Sequence, residues 1–259
     1  MSDGSDDGWP ESAVDYVQAI ADTKLLLGQR YGEWMLKGPN LEDDISGASN
    51  AQDEIGQVRQ LFRLLKRQGV DDEWLESERD PEEYANAATL DSEAAAWPTF
   101  IVQVALTDRA AWLLLDAIDH DDFTGMVQKM GEDEYFHLEH HDGRLETLAR
   151  DQPEAVEAAL EEYLPKILAF VGPATYDAES DPLVNAGFTD RPAAEIRSAL
   201  HEHYEVLFEG TDVSVPPLDD NTPDPEAWDE ARRRVGDGHV EADVVDQLQG
   251  VSNREYVIA

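Results

Sequence analysis

The sequence predicts an all-α chain built on a bundle of four long helices, and three observations carry that expectation. Apolar residues recur every three or four positions over several long stretches, the period of a half-buried helix. Alternation of the strand kind is nearly absent. Breakers such as Gly38-Pro39-Asn40, Gly69 and Gly172-Pro173 punctuate the periodic stretches.

Composition narrows the setting. The 259 residues suit one large domain or a domain with an extension. There are 58 acidic and 19 basic residues, a formal net charge of −39, yet 41% of the chain is hydrophobic and six residues are Trp. That apolar content separates it from disordered acidic chains. So much like charge repels itself in dilute buffer, and molar salt, by shrinking the Debye length to about 3 Å, removes much of that repulsion. We therefore expect a salt-loving cytoplasm. The same charge disfavours nucleic-acid partners. No Cys is present, so disulfides, Fe–S clusters and thiol nucleophiles are excluded. The acidic N-terminus lacks the basic and apolar regions of a signal peptide. No apolar run is long enough to span a membrane.

Residues 1–10 read as a disordered acidic tail, 11–210 as the bundle, and 211–259 as a Pro-rich extension with short helices. The first helix opens near Glu11, with Val14, Val17, Ile20, Leu27 and Trp34 on one stripe and Glu33 near its end. The second runs from about 42 to 68 behind the acidic start Glu42-Asp43-Asp44. On it Ala51, Glu54, Val58, Leu61 and Leu65 share a face, so Glu54 interrupts an apolar stripe. Residues 70–96 form a long connection with a short helix around 81–88, which suits a bundle with a crossover better than a simple up-down hairpin. The third helix starts near Trp97-Pro98, where Pro is acceptable in a first turn. Asp108 sits in the middle of its buried side, and the plain alternative is that it meets an Arg from a neighbour.

The fourth helix spans about 122–149. Its stripe of Met130, Glu134, His137, His141, Leu145 and Leu148 holds a Glu-x-x-His pair on one face. A fifth helix covers 153–171, a loop 172–190, and a sixth helix 191–209, on which His203 is partly exposed. Residues 211–226 are extended, and short helices lie near 225–235 and 240–249. The run Arg232-Arg233-Arg234 either caps a helix C-terminus or docks on an acidic neighbour.

Each of four helices thus offers a carboxylate: Glu33, Glu54, Asp108 and Glu134, with His137 behind the last. A ferritin-like di-iron bundle takes a carboxylate from each of two helices and Glu-x-x-His from each of the other two. Here the second pair is Glu54-x-x-Gln57. A neutral amide is a poorer iron ligand than imidazole, so the set reads as vestigial or weak. Solvated charge and satisfied core pairs remain the plain alternatives for these acids.

The runs Leu27-Gly28-Gln29-Arg30-Tyr31-Gly32-Glu33-Trp34, Gly38-Pro39-Asn40-Leu41-Glu42-Asp43-Asp44-Ile45 and Asp53-Glu54-Ile55-Gly56-Gln57 resemble the phenylacetic acid catabolic protein family. Within that family they look most like the structural C-type subunit of the phenylacetyl-CoA ring 1,2-epoxidase. The resemblance spans roughly residues 11–210. It implies a ferritin-like subunit, cytoplasmic and non-catalytic, that supports a homologous di-iron catalytic subunit in an oxygen-dependent monooxygenase complex, with a small accessory subunit and a reductase as further partners. It implies no resident cofactor. The alternative is a di-iron oxygenase or oxidase with its own metal site, in which Glu54 and Glu134 bridge, Glu33 and Asp108 are terminal, and His137 supplies a nitrogen. Neither reading involves nucleic acid or membrane.

Overall fold

The structure, a computed structural model, describes residues 8–218 and 227–251. It is an all-α, ferritin-like bundle. Helices α1 (Glu11–Trp34), α2 (Leu41–Arg67), α3 (Trp97–Asp116) and α4 (Met126–Asp151) surround the centre, and α5 (Pro153–Val171) packs on the outside of α3. The short turn α6 (Pro182–Asn185) and helix α7 (Ala193–Leu207) follow. A hairpin of β1 (Trp228–Asp229) and β2 (Arg234–Val235) and a last helix α8 (Ala242–Leu248) complete the described chain. None of the described helices is long and apolar enough to cross a membrane.

Local chemistry sets these boundaries. Asn40 caps α2 by accepting from the Asp43 amide at 3.0 Å, and Glu42, Asp43 and Asp44 favour its positive N-terminal end. The fourth helix starts later than the sequence suggested. Asp121–Phe123 form a separate tight turn, capped where the Asp122 amide donates to His120, and Gly125 takes a left-handed φ of 77° before α4 begins.

α1 and α2 pack along their length as an antiparallel pair. Gly28 permits the close approach, because a Cβ there would stand 3.0 Å from Ile55 Cδ1. The crossover between α2 and α3 is a chain of single turns pinned to α1, rather than one short helix. Arg79 grips Asp22 at 2.6 and 2.7 Å with both side chains buried. The Ala85 amide donates to Asp22, and the Ala87 amide donates to the Thr23 hydroxyl. This crossover makes α1 and α4 parallel. Lys24 and Tyr31 on α1 meet Glu134 and His141 on α4, seven residues apart on both.

The start and the end of the described chain differ from expectation. Trp9, assigned above to a disordered tail, is buried. It packs on Phe123 and Phe188 and donates to Asp122. Residues 1–7 of that tail lie outside the described residues. In place of a short helix near 225–235 stands the β1–β2 hairpin, and residues 219–226 lie outside the description. The hairpin is explained by what it holds. Arg233, with a left-handed φ of 50°, donates to the Phe170 and Val171 carbonyls, and Trp228 donates to the Ala169 carbonyl at 2.9 Å. Arg197 of α7 donates to Leu168 and Gly172. The last carbonyls of a helix have no partner within it and carry its negative end; here cations and an indole from two distant segments supply those partners for α5. Arg234 meanwhile docks on Asp91 at 2.9 Å. The arginine run does both things expected of it.

Candidate functional site

At the centre of the bundle lie Glu54, Asp108, Glu134 and His137, all buried, with one potential ligand atom from each within 4.8 Å of the others. Such a group could hold a metal, as in a di-iron-like site. Glu54 and Asp108 are fully buried on the inner faces of α2 and α3, and Glu134 and His137 share the inner face of α4. Four of the five residues named from the sequence therefore meet at one point.

The fifth does not. Glu33 forms a partly exposed pair with Arg30, at 2.8 and 2.9 Å, and accepts from Gln29. The residue that α1 sends to the centre is Lys24. Nine residues separate the two positions, which is about two and a half helical turns and about 13.5 Å of rise, so they face opposite sides. Lys24 belongs to the buried stripe Val17, Ile20, Lys24, Leu27 and Tyr31. Its Nζ lies 2.6 Å from Glu134, 3.2 Å from Glu54 and 3.7 Å from Asp108. A cation sits among three carboxylates, and it is an ammonium.

His137 completes the inner ring. Its Nδ1 is 3.4 Å from both Glu54 and Asp108, and its Nε2 is 3.4 Å from Asp53, which stands at the edge of the site. Beyond it, His141 Nε2 and the Tyr31 hydroxyl are 2.7 Å apart. Sequence reasoning missed Lys24, Asp53, Tyr31 and His141 as neighbours of the centre.

Electrostatics follow from this packing. Burial opposes the charge on Lys24, but Glu134, Glu54 and Asp108 outweigh it and hold the ammonium protonated. Burial likewise opposes charge on His137, and hydrogen bonds to Asp108 and Glu54 with their negative charge push it up to about 11. Burial would raise Asp108, yet Lys24 and His137 hold it well below the usual carboxylate range. Burial and the neighbouring Asp108 charge push Glu134 up to about 8. Glu54 is also raised, chiefly by burial. His141 is held neutral, since burial pushes it down to about 3; its Nε2 shares a hydrogen bond with the Tyr31 hydroxyl, and its Nδ1 lies 3.9 Å from Asp108.

These donors depart from the set that holds a pair of irons. Two of the six positions of the di-iron pattern are altered: α1 presents Lys24 in place of a carboxylate, and α2 presents Gln57 in place of His. Gln57 is buried, and neither polar atom of its side chain has a hydrogen-bond partner among the described residues. An ammonium 2.6 Å from Glu134 occupies space and charge that a metal would need.

A family model described as "Phenylacetic acid catabolic protein" matches residues 2–254. No curated protein matches significantly. With its helical bundle, its buried carboxylate and imidazole group and a match over nearly the whole length, the chain belongs to the phenylacetic acid catabolic protein family, and its task lies in phenylacetate catabolism.

Proposed function

We propose that this chain is the non-catalytic, structural subunit of a multicomponent phenylacetyl-CoA ring 1,2-epoxidase. It supports a homologous di-iron subunit that carries out the oxygen-dependent step with electrons from a reductase, and a small accessory subunit completes the complex. The single observation that carries this reading is Lys24. Its ammonium sits among Glu54, Asp108 and Glu134 and offsets part of their charge as a cation that can neither bind oxygen nor change oxidation state. Glu33, Glu54, Asp108, Glu134 and His137 are then structural residues: Glu33 steadies Arg30, and the other four form a polar core. Gln57, a weak ligand where imidazole is expected, agrees with this.

The alternative, an oxygenase with its own di-iron site, requires Lys24 to lose its proton and leave a fully buried position. We read the acidic surface as an adaptation to concentrated salt and the location as cytoplasmic. To test the subunit assignment, the chain is co-expressed in molar salt with the di-iron homologue from the same source. Co-purification, with ring-oxidising activity only when both chains are present, is the expected result. A chain that stays monomeric beside its homologue, or that turns over substrate alone with reductase and O₂, refutes the assignment.

A further inference from the structure

Away from the centre, on the outer side of the α1–α2 pair, a groove of about 380 Å³ opens between α2, the crossover and α8. Pockets for small organic ligands begin at roughly 300 Å³ and are mainly apolar with a few placed polar groups. The floor here is Val58, Phe62 and Leu75, all buried in the fold, with Ile55 and Leu248 at the sides. The polar groups are Arg59, Arg63, Lys66, Glu76 and Tyr84, of which Lys66 and Glu76 pair with each other. Arg59 and Arg63 stand one turn apart on α2, at i and i+4, where Cβ atoms are about 5–6 Å apart, and both are exposed.

The pairing pattern along this helix is informative. Lys66 is held by Asp72 and Glu76, and Arg67 by Asp122. Arg59 and Arg63 make no ion pair or hydrogen bond with any described residue, although the chain has 58 acidic residues to offer. Two guanidiniums with no partner among the described residues, beside an apolar trough, are complementary to one kind of ligand. A guanidinium presents a planar fork of donors that matches carboxylate or phosphate oxygens, and the trough takes an acyl or aryl body.

We propose that this groove binds an amphiphilic organic acid, its apolar body on Val58, Phe62 and Leu75 and its anionic head on Arg59 and Arg63. The inference does not depend on the subunit assignment, since it uses no residue of the bundle centre.

The test is calorimetric titration of the full chain in molar salt with octanoate, octyl phosphate and 1-octanol. Saturable binding of octanoate or octyl phosphate, with octanol much weaker, is expected, and the preferred head identifies the ligand as carboxylate or phosphate. Arg59→Gln with Arg63→Gln should weaken binding by about tenfold or more. Lys37→Gln with Arg67→Gln, an equal charge change outside the groove, should leave it unaltered. Absence of saturable binding, octanol binding as tightly as octanoate, or equal loss in both double variants would overturn the proposal. So would binding that appears only after deletion of residues 252–259, which would assign the groove to that segment. Circular dichroism of each variant confirms that loss of binding is not loss of fold.

Discussion

One side chain decides how the centre is understood. Lys24 is completely buried, and a buried ion group that loses a partner leaves uncompensated charge costing about 3–5 kcal/mol. Lys24→Met should therefore lower unfolding stability by roughly that amount in a urea titration, and adding Glu134→Gln should recover part of the loss; a near-neutral single variant would show that the ammonium does not hold the carboxylates. His137 gives the pH dependence. Its ordinary value is 6.5 and the folded value is about 11, so the folded state binds this proton more tightly than the unfolded state. That stabilisation is complete below pH 6.5 and is lost as pH rises toward 11. Glu134, raised from 4.5 to about 8, acts in the same direction at lower pH. The urea midpoint should fall steadily from pH 6.5 to pH 10, and His137→Gln should flatten that fall; a midpoint that rises over this window contradicts the assigned protonation. Glu54, Asp108, Glu134 and His137 were legible in the sequence because each interrupts or joins an apolar stripe. Lys24 was equally available, since the α1 stripe skips from Ile20 to Leu27 and position 24 fills the missing step. It was passed over because a search for metal ligands looks for acids, and the acid chosen on this helix, Glu33, lies on the opposite face.

At the scale of elements, period and breakers located every long helix to within a few residues. Pro153 and Gly172 bounded α5 as expected, because Pro suits a first turn and Gly172 adopts a φ of 125° with Ala193 Cβ only 3.1 Å from where its own Cβ would be. The connections were less legible. The β1–β2 hairpin and the turns of the crossover are held by partners far away in sequence, such as Arg233 on Phe170 and Arg79 on Asp22, and no local pattern announces them. The end of α5 makes this testable. Arg233→Ala removes a charged donor from two carbonyls, a loss of about 1.5–3 kcal/mol for hydrogen bonds of this kind. Amide exchange should accelerate in the last turn of α5 and in the hairpin while α2 stays protected. Uniform acceleration across the bundle would show that the hairpin is not a local clamp.

Across the whole molecule the net charge of −39 sets the working conditions. Diluting salt from molar to 0.1 M lengthens the Debye length from about 3 to about 10 Å, so each surface carboxylate then feels many others. The thermal midpoint should fall as KCl is removed, while a midpoint independent of salt would argue against salt adaptation. Fold class and family were legible from helix periods and from runs such as Gly38-Pro39-Asn40-Leu41-Glu42-Asp43-Asp44-Ile45. Partner contacts were not, because surface residues on an acidic chain carry little pattern beyond charge. The central claim is that an ammonium replaces the metal, and iron uptake tests it most directly. Wild-type chain and a Lys24→Glu, Gln57→His double variant are loaded with ferrous iron in molar salt, desalted, and assayed for iron per chain. The expected result is essentially none in the wild type and a bound pair in the variant, whose six positions then match the di-iron pattern; a bound pair of irons in the wild type would contradict the claim.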